Sequence, residues 1–274
     1  MTQPSPDIAR QFDERTASKI EAIYLTPDVV AQRARVLEAL ALAPGERVVD
    51  LGCGPGLLTL DMARQVGPTG SVDGIDFSAS MIPLAQRRCS DIPWVRLRAG
   101  DVTQLPYADG VFDAAVGAQV YEYVADIERA LGELKRVIRP GGRALIVDTD
   151  WESCVWHSGD RERTARVLRT WEQRFAHPHL PARLPELLRR SGFAVRSVTM
   201  IPVVNVEMSE QTYSQGMIDV VARFVAGRGG IGEEEAAGWA EDARSQAARG
   251  EYFFSLSRYL FLADRARTSR GSAA

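Results

Sequence analysis

A stretch of bare backbone set between an apolar run and a helical pattern constrains this chain more than anything else in it. VVDLGCGPGLLTL (residues 48–60) passes from a strand-length apolar segment through an aspartate into Gly52, Gly54 and Gly56, then turns apolar again. Glycines tolerate tight turns and let backbone come into contact with a ligand. A strand that passes through such a loop into a helix is the opening unit of an open α/β sheet. In that architecture ligands bind beyond the carboxyl ends of the strands, near the point where strand order reverses.

The rest of the chain keeps the beat, and its 274 residues suit one large α/β domain with an insertion. Thr26 as cap, Pro27 in the first turn and Asp28 at the positive end of the dipole predict a helix over 26–42. Strands are expected at 47–52, 70–76, 94–101, 112–120, 143–150, 193–207 and 252–265. Helices are expected at 57–66, 78–90 (opened by Ser78), 126–138 (ended by RPGG), 164–176 and 184–192. The alternation predicts a doubly wound, seven-stranded, mainly parallel sheet with helices on both faces. Two helices near 211–226 and 233–249, joined by GRGGIG, interrupt it and read as a helical cap inserted before the last strand. The expected organisation is an N-terminal helical lid (1–42), an α/β core (43–207), the cap (208–250), the last core strand (251–265) and a disordered tail (266–274).

Three acids fall at the ends of three successive predicted strands: Asp50, Asp76 and Asp101. An acid in the place of Asp76 is suited to a ribose diol. A dinucleotide loop wants G-x-G-x-x-G with a pyrophosphate over the helix N-terminus. Here the spacing is G-x-G-x-G, and Asp50 stands at the entry, where it would repel phosphate and favour a cation. S-adenosylmethionine (SAM), a nucleoside carrying an ammonium and a sulfonium and no phosphate, accounts for both departures.

VVDLGCGPG, GIDFSASMI, GDVTQLPYADGVFDAA and LKRVIRPGGRALI, in that order, together resemble the class I SAM-dependent methyltransferases. The nearest flavour is the small-molecule branch that includes the ubiquinone and menaquinone C-methyltransferases. The resemblance covers about residues 40–150. It implies the Rossmann-like methyltransferase fold, with SAM as cofactor and S-adenosylhomocysteine (SAH) as product. It also implies that Asp50, Gly52 and Gly54 line the methionine moiety and that Asp76 takes the ribose hydroxyls. Phe77 and Met81 would then pack on the adenine, Asp101 and Val102 would bind its polar edge, and Gln119 would face the methionine end.

Methyl transfer from a sulfonium asks the protein mainly to position the acceptor, desolvate it and, where needed, remove a proton. The candidate catalytic residues are Tyr24, Glu122 and His157; histidine titrates near neutrality. Tyr121, Trp151, Trp156, Tyr213 and Phe224 are candidate walls for an aromatic or extended apolar acceptor. The tract with Tyr24, Tyr121, Glu122 and His157 loosely resembles bacterial indole methyltransferases, so C-methylation of an aromatic or heteroaromatic natural product is the preferred expectation. O- or N-methylation of a small metabolite and a non-catalytic SAM-binding regulator remain alternatives.

Composition excludes several classes. The net charge of −3 leaves no basic stripe for nucleic acid. No apolar stretch is long enough to span a bilayer, and the polar start has no secretory pattern. Cys53, Cys89 and Cys154 form no C-x-x-C pair and fit a reducing compartment rather than a disulfide framework. Arsenite methylation would need several converging thiolates, and only Cys154 lies near the predicted cleft. The expectation is therefore a cytoplasmic monomer or homodimer acting on a small molecule, with no metal.

Overall fold

The computed structural model describes residues 20–266. The start of the expected lid and all of the expected tail except Ala266 lie outside the described residues. The elements in chain order are α1 (Pro27–Leu40), β1 (Arg47–Leu51), α2 (Leu57–Val66), β2 (Ser71–Asp76), α3 (Met81–Arg88), β3 (Val95–Ala99), β4 (Phe112–Ala118), a 3-10 turn (Tyr121–Tyr123), α4 (Ile127–Val137), β5 (Ile138–Trp156), α5 (Arg161–Glu172), α6 (Leu180–Arg190), β6 (Phe193–Asn205), α7 (Tyr213–Val225), α8 (Glu233–Ala248) and β7 (Phe254–Arg265).

The strands form one sheet in the order β3-β2-β1-β4-β5-β7-β6. All neighbours as far as β5 are parallel, and β7 runs antiparallel between β5 and β6. The order reverses between β1 and β4, so the glycine loop opens at the switch point. Strands buried on both faces read as continuous apolar runs, and Val48 and Val49 are both fully buried, on opposite faces of β1. On one face α1 and α2 lay Val36, Leu40, Met62 and Val66 against Val48, Val72 and Val147. On the other, α4 and α6 lay Leu131, Leu134 and Leu184 against Val49, Ile146 and Phe261. A third core joins α5, α7 and α8 over the ends of β5 and β7, around Trp171, Trp239 and Phe254. Among the described residues no helix is long and apolar enough to cross a membrane.

Several boundaries differ from expectation, among them the start of α6, at Leu180 and not at 184. α3 starts at Met81 and not at Ser78, whose buried hydroxyl instead meets that of Ser80 at 2.8 Å inside the preceding turn. β5 is far longer than 143–150: RPGG is drawn into it, and a bulge between Asp150 and Val155 lets it go on pairing with β7 to Trp156. α5 starts at Arg161, earlier than 164, because the Asp160 side chain accepts from the Arg163 amide and caps it.

Gly56 shows what the loop glycines do for packing. Its φ is +80°, and a Cβ there would lie 2.9 Å from the Ala85 backbone on α3. Gly56→Ala is therefore expected to destabilise the fold by about 1–3 kcal/mol through left-handed strain and overpacking, read as a lowered denaturant midpoint at unchanged slope.

Candidate functional site

The loop after β1 passes close to the end of β2. The Gly52 and Cys53 amides both donate to the Ile75 carbonyl, at 2.7 and 3.1 Å. Gly52 has φ +70°, and a Cβ there would run into Val120 Cγ2 at 2.2 Å. Gly54 has φ +51°, yet the first atom a Cβ would meet is the Tyr24 ring, 3.9 Å away. The space above Gly54 belongs to a cavity of about 950 Å³ that runs from the strand ends to the cap.

Acids line one end of that cavity. Asp50 is 2% exposed, and its carboxylate accepts from the Thr59 hydroxyl at 2.5 Å. Burial pushes its pKa up to about 7, against the opposing Thr59 hydrogen bond. Asp76 accepts the Gly54 and Ser78 amides, each at 2.7 Å. Burial raises its pKa as well, partly offset by those two amides. Asp101 accepts the Thr103 amide at 2.8 Å. Phe77 lies at the rim with its ring 43% exposed, and Met81 is buried against Ile20.

Gln119 bridges to the other end. It is one of two described non-glycine residues with positive φ, at +60°. It is held there by its amide on the Val147 carbonyl (2.7 Å) and by the Thr149 hydroxyl donating to its Oε1 (2.7 Å). Its Nε2 is buried without a partner.

Beyond Gln119, Glu122 is 1% exposed. It accepts from the Trp151 indole at 3.2 Å and from the Thr149 amide at 3.4 Å. Asp148, wholly buried, accepts the Val120 amide at 3.1 Å, and its second oxygen has no partner. Burial raises the pKa of both carboxyls, and the charge of Glu122 adds to the rise at Asp148. The walls around them are aromatic: Trp151 stacks on Phe175 with centroids 4.8 Å apart, and Trp171 meets Phe224 edge-on at 5.4 Å. The Tyr24 hydroxyl faces the same space, its pKa pushed up to about 12 chiefly by burial, so it is a neutral donor at physiological pH.

Residues 49–146 match the methyltransferase domain family. The demethylmenaquinone methyltransferase of Symbiobacterium thermophilum is 32% identical over 220 residues, covering 69% of this chain and 88% of that protein. The chain belongs to the SAM-dependent methyltransferases. The 2-phytyl-1,4-naphtoquinone methyltransferase of Nostoc is 42% identical over 111 residues, 38% of this chain and 47% of that one. Over the first curated relatives the chain spans about half of their length. Among solved structures, Haemonchus contortus phosphoethanolamine N-methyltransferase 2 in complex with SAM shares the fold with a TM-score of 0.64 at 16% identity, over 97% of this chain and 61% of that one.

The residues fit the family's cofactor. The floor at Gly54 is open, the buried Asp50 and the half-buried Asp76 offer carboxylates there, and Gln119 Nε2 lacks an acceptor. The structure brings every predicted cofactor residue to the cavity, and with them Tyr24, Glu122, Trp151, Tyr213 and Phe224.

Three of the predicted site residues lie elsewhere. His157 is exposed and outside the cavity, its amide donating to the Phe253 carbonyl. Trp156 packs edge-on against Trp239 (5.0 Å) and Phe254 (4.8 Å) in the third core. Tyr121 is fully buried against Gly117, on the side of α4 and α6. For Tyr121 the reason is the local turn: Tyr121–Tyr123 form a 3-10 turn, in which successive side chains point about a third of a revolution apart, so Glu122 and Tyr123 reach the cavity while Tyr121 faces the core. Sequence reasoning missed Trp171, Phe175 and Arg258, all of which line the cavity. Trp171 and Phe175 stand four apart across the end of α5, a spacing that signals one shared face.

Proposed function

We propose that the chain transfers the methyl group of SAM to a ring carbon of a small aromatic or heteroaromatic acceptor, a bicyclic ring such as an indole or a naphthalenediol being preferred. O- or N-methylation of the same kind of molecule is the second reading. The observation that carries the proposal is the aromatic chamber of Trp151, Trp171, Phe175 and Phe224, continuous with the cofactor end and lined also by the buried carboxyl of Glu122. The relatives named for naphthoquinone and menaquinone substrates support a flat aromatic acceptor.

Bound SAM supplies an electrophilic methyl on a good leaving group. In this proposal Gln119 Nε2 and the Asp50 carboxylate hold the amino-acid end, and Asp76 takes the ribose diol. The aromatic walls keep the acceptor flat and exclude water, so that the ring atom meets the methyl at close range. The Tyr24 hydroxyl donates to an acceptor oxygen or nitrogen. Glu122 takes the proton that an N–H or O–H must lose for the ring to become nucleophilic. Incubation with methyl-labelled SAM and a panel of indoles, naphthols, phenols and amines tests the reading. Label in a ring-carbon product is the expected result; tight SAH binding with no product from any acceptor would favour the regulator.

Asp50 makes the cofactor site pH-dependent. Its carboxyl is protonated below about 7 in the free protein, while the cofactor's ammonium favours the ionised form. Affinity for SAH is therefore expected to rise between pH 5.5 and 7.5, by up to about tenfold per pH unit below that pKa. Asp50→Asn should flatten the profile, as read by calorimetry; a parallel slope in the variant would remove Asp50 from the ammonium site.

A further inference from the structure

β7 carries a residue that its strand pattern does not predict. Phe254, Leu256, Arg258, Leu260 and Leu262 alternate along it, each no more than 6% exposed; four are hydrocarbon and one is a guanidinium. Arg258, 2% exposed, lines the cavity. Its Nη1 donates to Gln32 Oε1 on α1 at 2.5 Å, its guanidinium carbon lies 4.4 Å from the centre of the Tyr213 ring on α7, and its Nε is buried without a partner. Among the described residues it forms no ion pair. Glu122, the acid whose charge it feels across the chamber, is engaged by the Trp151 indole and the Thr149 amide. A buried cation held only by neutral groups is costly to the fold, and residues that break a local pattern at such a cost concentrate at functional sites.

Its position says which ligand it serves. Arg258 lies opposite Thr149 in the β5–β7 register, and Thr149 holds Gln119. Arg258 thus shares a face of the sheet with Thr149, with the Tyr213 ring of the cap over its guanidinium. The cofactor end of the cavity is lined by Asp50, Asp76 and Asp101; this end carries the carboxyl of Glu122, engaged by the Trp151 indole and the Thr149 amide, and the guanidinium of Arg258. We propose that Arg258 anchors a carboxylate on the methyl acceptor, so that aromatic acids are preferred over neutral rings of the same kind. This deepens the methyltransferase reading and rests on it.

The test compares wild type with Arg258→Met and Arg258→Lys, each loaded with SAH. Calorimetry measures binding of indole-3-carboxylate, indole-3-acetate and 2-naphthoate, each against its primary amide. For at least one pair the carboxylate is expected to bind wild type at least tenfold more tightly than the amide. Arg258→Met should abolish that preference, Arg258→Lys should retain part of it, and SAH affinity should stay within twofold in both. Arg258→Met should also melt no lower than wild type, since it removes a buried charge. Equal binding of acid and amide, no binding of either, or a preference that survives in Arg258→Met would overturn the proposal. Weakened SAH binding in Arg258→Met would assign the arginine to the cofactor's own carboxylate and overturn it too, and a lower melting point would make Arg258 a structural tether. Failure of the methyltransferase reading looks different: wild type would give no methylated product from methyl-labelled SAM with any of these acids, whatever it binds.

Discussion

Glu122→Gln is expected to lower kcat by about 10²–10³-fold, the loss that follows removal of a positioned general base, while SAH affinity stays within twofold. The substitution keeps the size of the side chain and its acceptor for the Trp151 indole, so the chamber should stay intact. It removes only the ability to take up a proton. Burial raises the Glu122 pKa from the ordinary carboxylate range, which places the base closer to neutrality than an exposed glutamate. The wild-type rate should therefore fall with decreasing pH as Glu122 becomes protonated, and the variant should lose that limb. A variant with wild-type kcat would remove Glu122 from proton transfer. His157→Ala is the control, expected to leave turnover and SAH affinity unchanged, because the imidazole is exposed and outside the cavity.

Asp76→Ala should weaken SAH binding by about 100-fold, the magnitude expected when charge-assisted hydrogen bonds to a diol are lost in a buried site. Part of that loss comes from the protein itself, since the same carboxylate holds the Gly54 and Ser78 amides in place. Asp76→Asn keeps an acceptor oxygen and should lose less, about tenfold. Calorimetry on both variants separates the contributions. Unchanged affinity in Asp76→Ala would end the ribose assignment.

The cofactor end was legible in the sequence because its residues are local. Asp50, Gly52 and Gly54 sit at one strand end, Asp76 and Asp101 at the next two, and a parallel sheet brings successive strand ends together whatever the side chains elsewhere. The acceptor end was only partly legible. Trp151 and Glu122 face the chamber while Tyr121 and Trp156 turn away, and proximity in sequence could not choose among them. The bulge after Asp150 resets which side of β5 is inward, and no residue type announces it. Arg258 was readable in principle as a charge in an apolar alternation, but its meaning depends on Gln32 and Tyr213, which arrive from 226 residues upstream on α1 and from the cap.

The amino-acid sequence by itself determined the alternating sheet, the glycine loop at its switch point and the three acids at successive strand ends, because these follow from backbone freedom and from residue position along the strands. Only the tertiary structure decided which aromatics form a wall, which carboxyl is buried beside it and that, among the described residues, the arginine there forms no ion pair. Those depend on elements far apart in the chain excluding water from one another, and burial is the main cause of the raised proton affinity of Glu122 and of the cost of placing Arg258 there.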